Sequence, residues 1–337
     1  IDNTTFNGED PSKKYISGFF HSGELVDLQT LIDNAIASHE TLYLNGSYYK
    51  IPKELTINKN IIIDGANKTT GVGISTIDAS EMFRIFNISG NCKVTLKNIN
   101  LINSRADDGG AIFIGSGSNT VTVDSCNFDT NYANYRGGSI YVESGSKLEV
   151  KNSNFTDSFA AIDGGDIYLE DNVQLNISNC NITGSMALGG HGGVIATNNN
   201  NRVNITNSPI YRSKAKEGGV ISTDSGNVIE LSNSSFVKNK ALNGNGGVIS
   251  SNGTTTVTIH NSTLNNNRAN GNGGVISGAT IVLENAILAN NSAFNGGVIY
   301  GDTNGVVNVS NSHFTGNNVS GIGSSIYASG ALNVNDS

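Results

Sequence analysis

Residues 108–131 read DGGAIFIGSGSNTVTVDSCNFDTN, and the same order of residue types returns at 136–158 as RGGSIYVESGSKLEVKNSNFTDS. Each copy opens on a Gly-Gly-x-Ile corner and passes through an alternating apolar pair. It closes on an Asn or Ser, a small residue and a large apolar one. The isoleucine recurs at Ile112, Ile140, Ile167, Ile195, Ile221, Ile249, Ile276 and Ile299, and a degenerate copy, Gly323-Ser324-Ser325-Ile326, follows. The spacings are 28, 27, 28, 26, 28, 27, 23 and 27 residues. A repeat of this period is one structural module.

The alternating pairs run from Val121/Val123, Leu148/Val150 and Leu175/Ile177 to Val307/Val309. Alternation with period two reads as strand, and the Gly/Asn clusters between the runs read as corners. A module this short cannot bury its own apolar face, so it must stack on its neighbours. Stacking at about 4.8 Å per coil places equivalent positions over one another. Phe128, Phe155 and Ile182 then share one inward column, and Cys126, Ser153, Cys180 and Ser208 share another. The asparagines that follow the pairs (Asn152, Asn179, Asn207, Asn233 and onward) are expected to form an amide ladder at a corner. The fold class is therefore all-β: a right-handed parallel β-helix of about eleven coils, roughly 50 Å long. A leucine-rich repeat would need Leu at most anchors and a helical return. A calcium-binding nonapeptide repeat would need an Asp inside GGxGxD, which no module supplies.

Asp27 followed by Leu28, Leu31, Ile32, Ala35 and Ile36 predicts an N-capped amphipathic helix over about 28–37. Such a helix is expected to plug the open end of the stack, where strand edges would otherwise be unpaired. Strand-like segments follow at Leu42–Leu44, Leu55–Ile57 and Ile61–Ile63. Residues 1–93 are thus expected to hold the cap and first coils, and 94–337 the repeat coils of one continuous domain. Ile1-Asp2-Asn3 has neither an initiator Met nor a signal peptide, as expected of a fragment whose targeting segment was removed. At the other end Leu332 and Val334 open a module whose large apolar residue does not arrive, so the chain is expected to stop within a coil.

Twenty basic against 28 acidic residues give a net charge of −8, and only 14% of residues are charged. An acidic, Lys/Arg-poor chain offers little of the basic patch that nucleic-acid binding needs. No run of 18 apolar residues exists, so no membrane insertion is expected in this stretch. The three cysteines make no CxxC or Cys/His cluster, and no metal, cofactor or catalytic residue is assigned. Cys126 and Cys180 lie two coils apart, about 9–10 Å, beyond the roughly 7 Å that a disulfide spans. They are expected to be buried free thiols; Cys92 has no in-register partner.

The blocks Asp108-Gly109-Gly110-Ala111-Ile112 and Phe128-Asp129-Thr130-Asn131 resemble the GGAI and FxxN repeats of the chlamydial polymorphic membrane proteins. The same repeats occur in the adhesin-like proteins of methanogenic archaea. The resemblance covers residues 94–337, and the helix-plus-strand start is similar to that of pectin-lyase-like β-helices. From Gly192 onward GGVI replaces GGAI, and four modules put Ile or Leu in place of Phe. The acidic, Trp-free composition with 51 Asn resembles the archaeal group. The resemblance implies an extracellular, surface-exposed adhesin domain, anchored through regions outside this stretch, whose partner is a surface protein or glycan of another cell. A monomer is expected.

Strict alternation places the residues before and after each Ile outside. The outer stripe so defined runs through Phe113, Tyr141 and Tyr168, then Val194, Val220, Val248, Val275 and Val298, with Tyr300 beyond. An exposed apolar stripe marks an interaction surface, although Val also suits any strand. A polysaccharide lyase or hydrolase of this fold would instead use paired carboxylates, and Asp107, Asp108, Asp163 and Asp166 are the best cluster. However, the residue before each Gly-Gly forms the column Asp108, Arg136, Asp163, His191, Glu217, whose alternating signs suit simple pairing. Arg212, Lys214, Lys216 and Glu217 read as a solvated charged corner. A passive surface stalk is the third reading.

Overall fold

In the computed structural model, which describes residues 19–21 and 24–337, the chain winds as a parallel β-solenoid of about eleven turns. The stretch Ile1-Asp2-Asn3 lies outside the described residues. Three sheets run along the solenoid. An eleven-stranded sheet extends from Tyr48–Lys50 to His313–Thr315, and a nine-stranded sheet from Arg105–Asp108 to Asn318–Val319. The third, of 21 strands, holds both the Gly-Gly-x-Ile strands and the alternating pairs. Between Ile276 and Ile299 the repeat shortens by the length of a turn, and Ile276–Glu284 runs as one nine-residue strand.

The columns form in register. Leu101, Phe128, Phe155, Ile182, Ile210 and Phe236 lie over one another and are wholly buried. The rings of Phe128 and Phe155 stack at 4.5 Å and 1°. The helix spans Leu28–Ser38, its N-terminus capped by the Asp27 carboxylate, which accepts from the Thr30 N–H at 2.7 Å. Its buried face, Leu28, Ile32 and Ala35, closes the core. Gln29 binds the outermost strand in both directions: its Oε1 accepts from the Thr56 N–H at 2.8 Å and its Nε2 donates to the Thr56 carbonyl at 3.0 Å. The plug thus satisfies an edge that would otherwise invite another strand. At the other end Leu332 and Val334 continue the inward columns and are 46% and 47% exposed.

At the corners backbone N–H groups point along the axis, and buried side chains supply the acceptors. In the Ser/Cys column, the N–H groups of Cys126, Cys180, Ser208 and Ser234 donate to the hydroxyls of Ser153, Ser208, Ser234 and Ser262 at 3.0–3.2 Å. In the FxxN column, Ser213, Asn239, Asn267 and Asn291 donate to Oδ1 of Asn239, Asn267, Asn291 and Asn317 at 2.9–3.0 Å. A buried N–H left without a partner would cost about 1–3 kcal/mol, which favours Ser in the first column, where Cys126, Cys180 and Ala286 are the departures, and Asn or Ser in the second. The asparagines after the pairs have a different reason. Asn152, Asn179, Asn207, Asn233, Asn261, Asn285 and Asn311 all sit at φ between 47° and 53°, a left-handed conformation that Asn tolerates. Their side-chain ladder is loose, with contacts such as Asn207 to Asn179 at 3.3 Å. Cys92, Cys126 and Cys180 are free and buried. Burial pushes the Cys126 thiol up to about 12 and the Cys180 thiol up to about 11, so neither is reactive.

The Gly-Gly corner overturns one expectation. Val194, Val220, Val248, Val275 and Val298 are 0% exposed and belong to the core, as do Ala111, Ser139 and Asp166 at the same position. The first glycine of each pair holds φ near +60°, for example 67° at Gly246. A Cβ on the second would lie 2.1 Å from the backbone oxygen of the next coil's glycine, as at Gly247. The N–H groups of both Val248 and Ile249 then donate to one carbonyl, that of Val275, at 2.9 Å. Two donors on one acceptor mark a bend, and the strand begins only at Ile249, so the in–out alternation does not run back through Val248. The residue before Ile and the Ile itself both face inward, so the five valines form no outer stripe.

Candidate functional site

The outward column is the residue after each Ile: Phe113, Tyr141, Tyr168, Ala196, Ser222, Ser250, Ser277, Tyr300 and Tyr327, all in register. Phe113, Tyr141 and Tyr168 stack at 5.3 Å intervals, and Tyr300 stacks on Tyr327 at 5.0 Å. Arg84 and Arg136 lie 4.9 Å over the Phe113 and Tyr168 rings. The network closes on itself. The Tyr141 hydroxyl donates to Glu170 at 2.5 Å, the Tyr168 hydroxyl to Asn198 at 2.6 Å, and Asn198 in turn to Glu170 at 2.6 Å. Burial, then the hydrogen bond to Glu170, pushes the Tyr141 hydroxyl far above its ordinary value. Tyr141 and Tyr168 are 7% and 5% exposed, so their ring faces and hydroxyls are already occupied by the protein. Of the expected stripe, Phe113 and Tyr300 are half-buried and reach solvent.

The carboxylates separate rather than converge. Asp166 is wholly buried inside the solenoid, where its Oδ2 accepts from the Ser185 hydroxyl while Oδ1 has no partner. The column before the Gly-Gly pairs links coil to coil. Asp108 Oδ1 accepts from the Arg136 N–H at 3.1 Å, and Asp163 Oδ1 accepts from the His191 N–H at 2.8 Å. Arg136 stands 4.0 Å from Asp163 and 3.7 Å from Glu170, and His191 Nδ1 stands 3.3 Å from Asp163. Burial works to raise Asp163, but the hydrogen bonds and charge of His191 outweigh it and leave its pKa lowered. The Asp163 hydrogen bond in turn raises His191 above 6.5. Among the described residues no group of three or more His, Cys, Asp or Glu gathers as a metal site.

The Asp163–His191 pair has a defined pH window. The His191 share is fully present below the unfolded value of 6.5 and is lost as pH rises through the higher folded value. The Asp163 share is present above 3.8 and is lost as pH falls through its lowered value. With His191 half exposed the pair contributes only about 0–1 kcal/mol, so NMR is the better readout. The His191 ring is expected to titrate above 6.5, and Asp163→Asn to bring it back down. A midpoint unmoved by that substitution would remove the pairing.

A site absent from the sequence reading lies on the outer face of the eleven-stranded sheet. It is an open trough of about 790 Å³ lined by Tyr48, Thr76, Asn100, Asn127, Asn154 and Asn181, with Asp129 and Thr156 alongside. Its floor is an amide ladder: Asn100 donates to Thr76 at 3.0 Å, Asn127 to Asn100 at 2.8 Å, and Asn154 to Asn127 at 2.7 Å. An amide carries two N–H donors and two acceptor lone pairs. The ladder uses one donor per residue and leaves capacity facing the trough. The signal in the sequence is the Asn one residue before the large apolar position, at Asn100, Asn127, Asn154 and Asn181, always 27 apart.

Residues 84–264 match the family model of the right handed beta helix region. No curated protein and no solved structure matches the chain. The match covers more than half of the chain and falls on the coils whose register, ladders and glycine corners are described above, and the chain belongs to the right-handed β-helix family.

Proposed function

We propose that this chain is an extracellular, cell-surface adhesin domain that attaches to a surface protein or glycan of another cell through a lateral sheet face. The face is the trough of the eleven-stranded sheet. The observation that carries this reading is the amide ladder from Thr76 to Asn154 on an open floor. Regularly spaced amides on a rigid sheet suit an extended partner that offers hydroxyl or backbone groups at intervals. The GGxI and FxxN repeats, which resemble those of known surface proteins, point the same way. A β-helix polysaccharide lyase or hydrolase is the alternative, but here Asp166 is inside and Asp108 and Asp163 are engaged with Arg136 and His191.

Asn127→Val plus Asn154→Val removes the ladder while keeping good strand formers. Binding of the purified protein to intact cells or to a glycan array is expected to fall at least about tenfold, a loss of 1.4 kcal/mol. Equal binding by the double variant would move the site off this sheet. Release of reducing ends or unsaturated uronates from a polysaccharide panel would favour the enzyme instead.

A further inference from the structure

The nine-stranded sheet carries a feature that the sequence shows only in fragments. Its outward column runs Arg105, Tyr132, Phe159, Met186, Lys214, Lys240, Arg268, Ser292, Asn318 in register. Lys214, Lys240 and Arg268 therefore lie directly over one another, about 4.8 Å apart. The corner that leads into this sheet adds Arg212 and Lys238, one coil apart, and Lys216 follows Lys214 on the same strand. Among the described residues none of these six cations forms an ion pair. The one carboxylate on these strands is Glu217, which aligns with His191.

Six unpaired cations, from a total of 20 in a chain of net charge −8, repel one another, and like charges opposed across strands are destabilising. The backbone adds strain. Arg212 and Lys238 sit at φ 58° and 60°, where long side chains are disfavoured. Other coils place Thr130, Asp157, Gly184, Asn266, Asn290 and Gly316 at this corner, all with positive φ and none of them a cation. Repulsion among stacked cations, at a corner where the other coils carry uncharged or acidic residues, marks a site organised for something other than stability.

Beyond Arg268 the column enters a hollow of about 390 Å³ lined by Asn270, Ser292, Phe294, Asn318 and Ser320. Phe294 is 52% exposed there. Cations leading into hydroxyls, amides and one open ring match a ligand with both acidic and hydroxyl groups. The aromatics at the other end offer no platform for bases. Tyr132 stacks on Phe159 at 5.2 Å, and Arg105 covers Tyr132 at 4.7 Å, whereas a nucleic-acid strand needs successive open rings. We propose that the nine-stranded sheet binds an acidic polysaccharide, whose carboxylates or sulfates lie along Lys214, Lys240 and Arg268 and whose sugar hydroxyls enter the hollow at Phe294.

The test is calorimetric titration of the purified chain with polygalacturonate, dextran sulfate, neutral dextran and a single-stranded oligothymidylate of matched charge. Binding to at least one acidic polysaccharide is expected, weakening with salt, and none to neutral dextran. The polygalacturonate and dextran sulfate arms tell carboxylate from sulfate as the recognised group. Lys214→Ser, Lys240→Ser and Arg268→Ser together place in the column the residue found natively at Ser292. This variant is expected to lose at least about tenfold in affinity with no fall in its melting temperature. Should it melt early, the single change Lys240→Gln is expected to lose about threefold. Silence with both polysaccharides, undiminished binding by these variants, or equal affinity for the oligothymidylate would overturn the assignment. The trough variant Asn127→Val plus Asn154→Val is expected to bind acidic polysaccharide as the parent does, so the two sites fail or stand separately.

Discussion

Val248→Asp is expected to unfold the coils around it, at a loss of about 5 kcal/mol or more, the range reached when an unpaired charge is buried. Val248 is wholly buried between Val220 and Val275 of the adjoining coils, and none of the three offers a polar side chain. The matched control is Val282→Asp in a neighbouring coil. Val282 is half-buried on the outer face, between the polar Thr258 and Asn308, and its replacement is expected to cost no more than about 1 kcal/mol. Denaturant unfolding followed by circular dichroism measures both. Equal and small losses would mean that Val248 faces solvent after all, and the inward slip at the Gly-Gly corner would be wrong.

The slip shows where the sequence was readable and where it was not. Period, strand alternation and the inward Phe128–Phe155–Ile182 column follow from spacing alone, because stacked coils repeat one environment. The helix cap was legible for a local reason: Asp27 binds Thr30 three residues on. Alternation failed at the glycines, since the bend there is a matter of backbone hydrogen bonding and leaves the repeat period unchanged. A signal was present nonetheless. Five successive valines at one position are better explained by a core ladder than by a solvent-facing stripe. The Asn of FxxN was visible as a repeat, but its cause was not, because its partner is the N–H of another coil.

The candidate sites were less legible, for a related reason. Arg212, Lys214 and Lys216 are adjacent in sequence and read as an ordinary charged corner. Lys240 and Arg268 join them only when coils of 26 and 28 residues are laid in register. The amide floor of the trough is likewise assembled from four coils. Tyr141 and Tyr168 are buried in spite of their outward register, because Glu170 and Asn198, which occupy their hydroxyls, lie on the following turns and give no pattern of their own.

Asp166→Asn is expected to abolish most of a pH-dependent loss of stability. Asp166 occupies the same inward position as Val248, and the core tolerates it because hydroxyls surround it. Ser185 donates to its Oδ2, and Ser139 and Ser158 pair at 2.8 Å nearby. One oxygen remains without a partner, a costly arrangement for an ionised carboxylate in an apolar interior. Burial accordingly pushes its pKa up to about 7. The sign follows from the proton count. Between pH 3.8 and about 7 the unfolded chain has released this proton while the folded chain keeps it, so stability falls as pH rises through that interval and levels off above it. A shift of about 3 units corresponds to about 4 kcal/mol. The amide of Asn keeps an acceptor for Ser185 but cannot ionise, and about two of the three units lie above pH 5, so the variant should lose about 3 kcal/mol less than the parent between pH 5 and pH 8. Urea unfolding of both proteins at the two pH values gives the double difference, which cancels every other titrating group. Parallel curves for parent and variant would show that Asp166 carries no such proton in the fold.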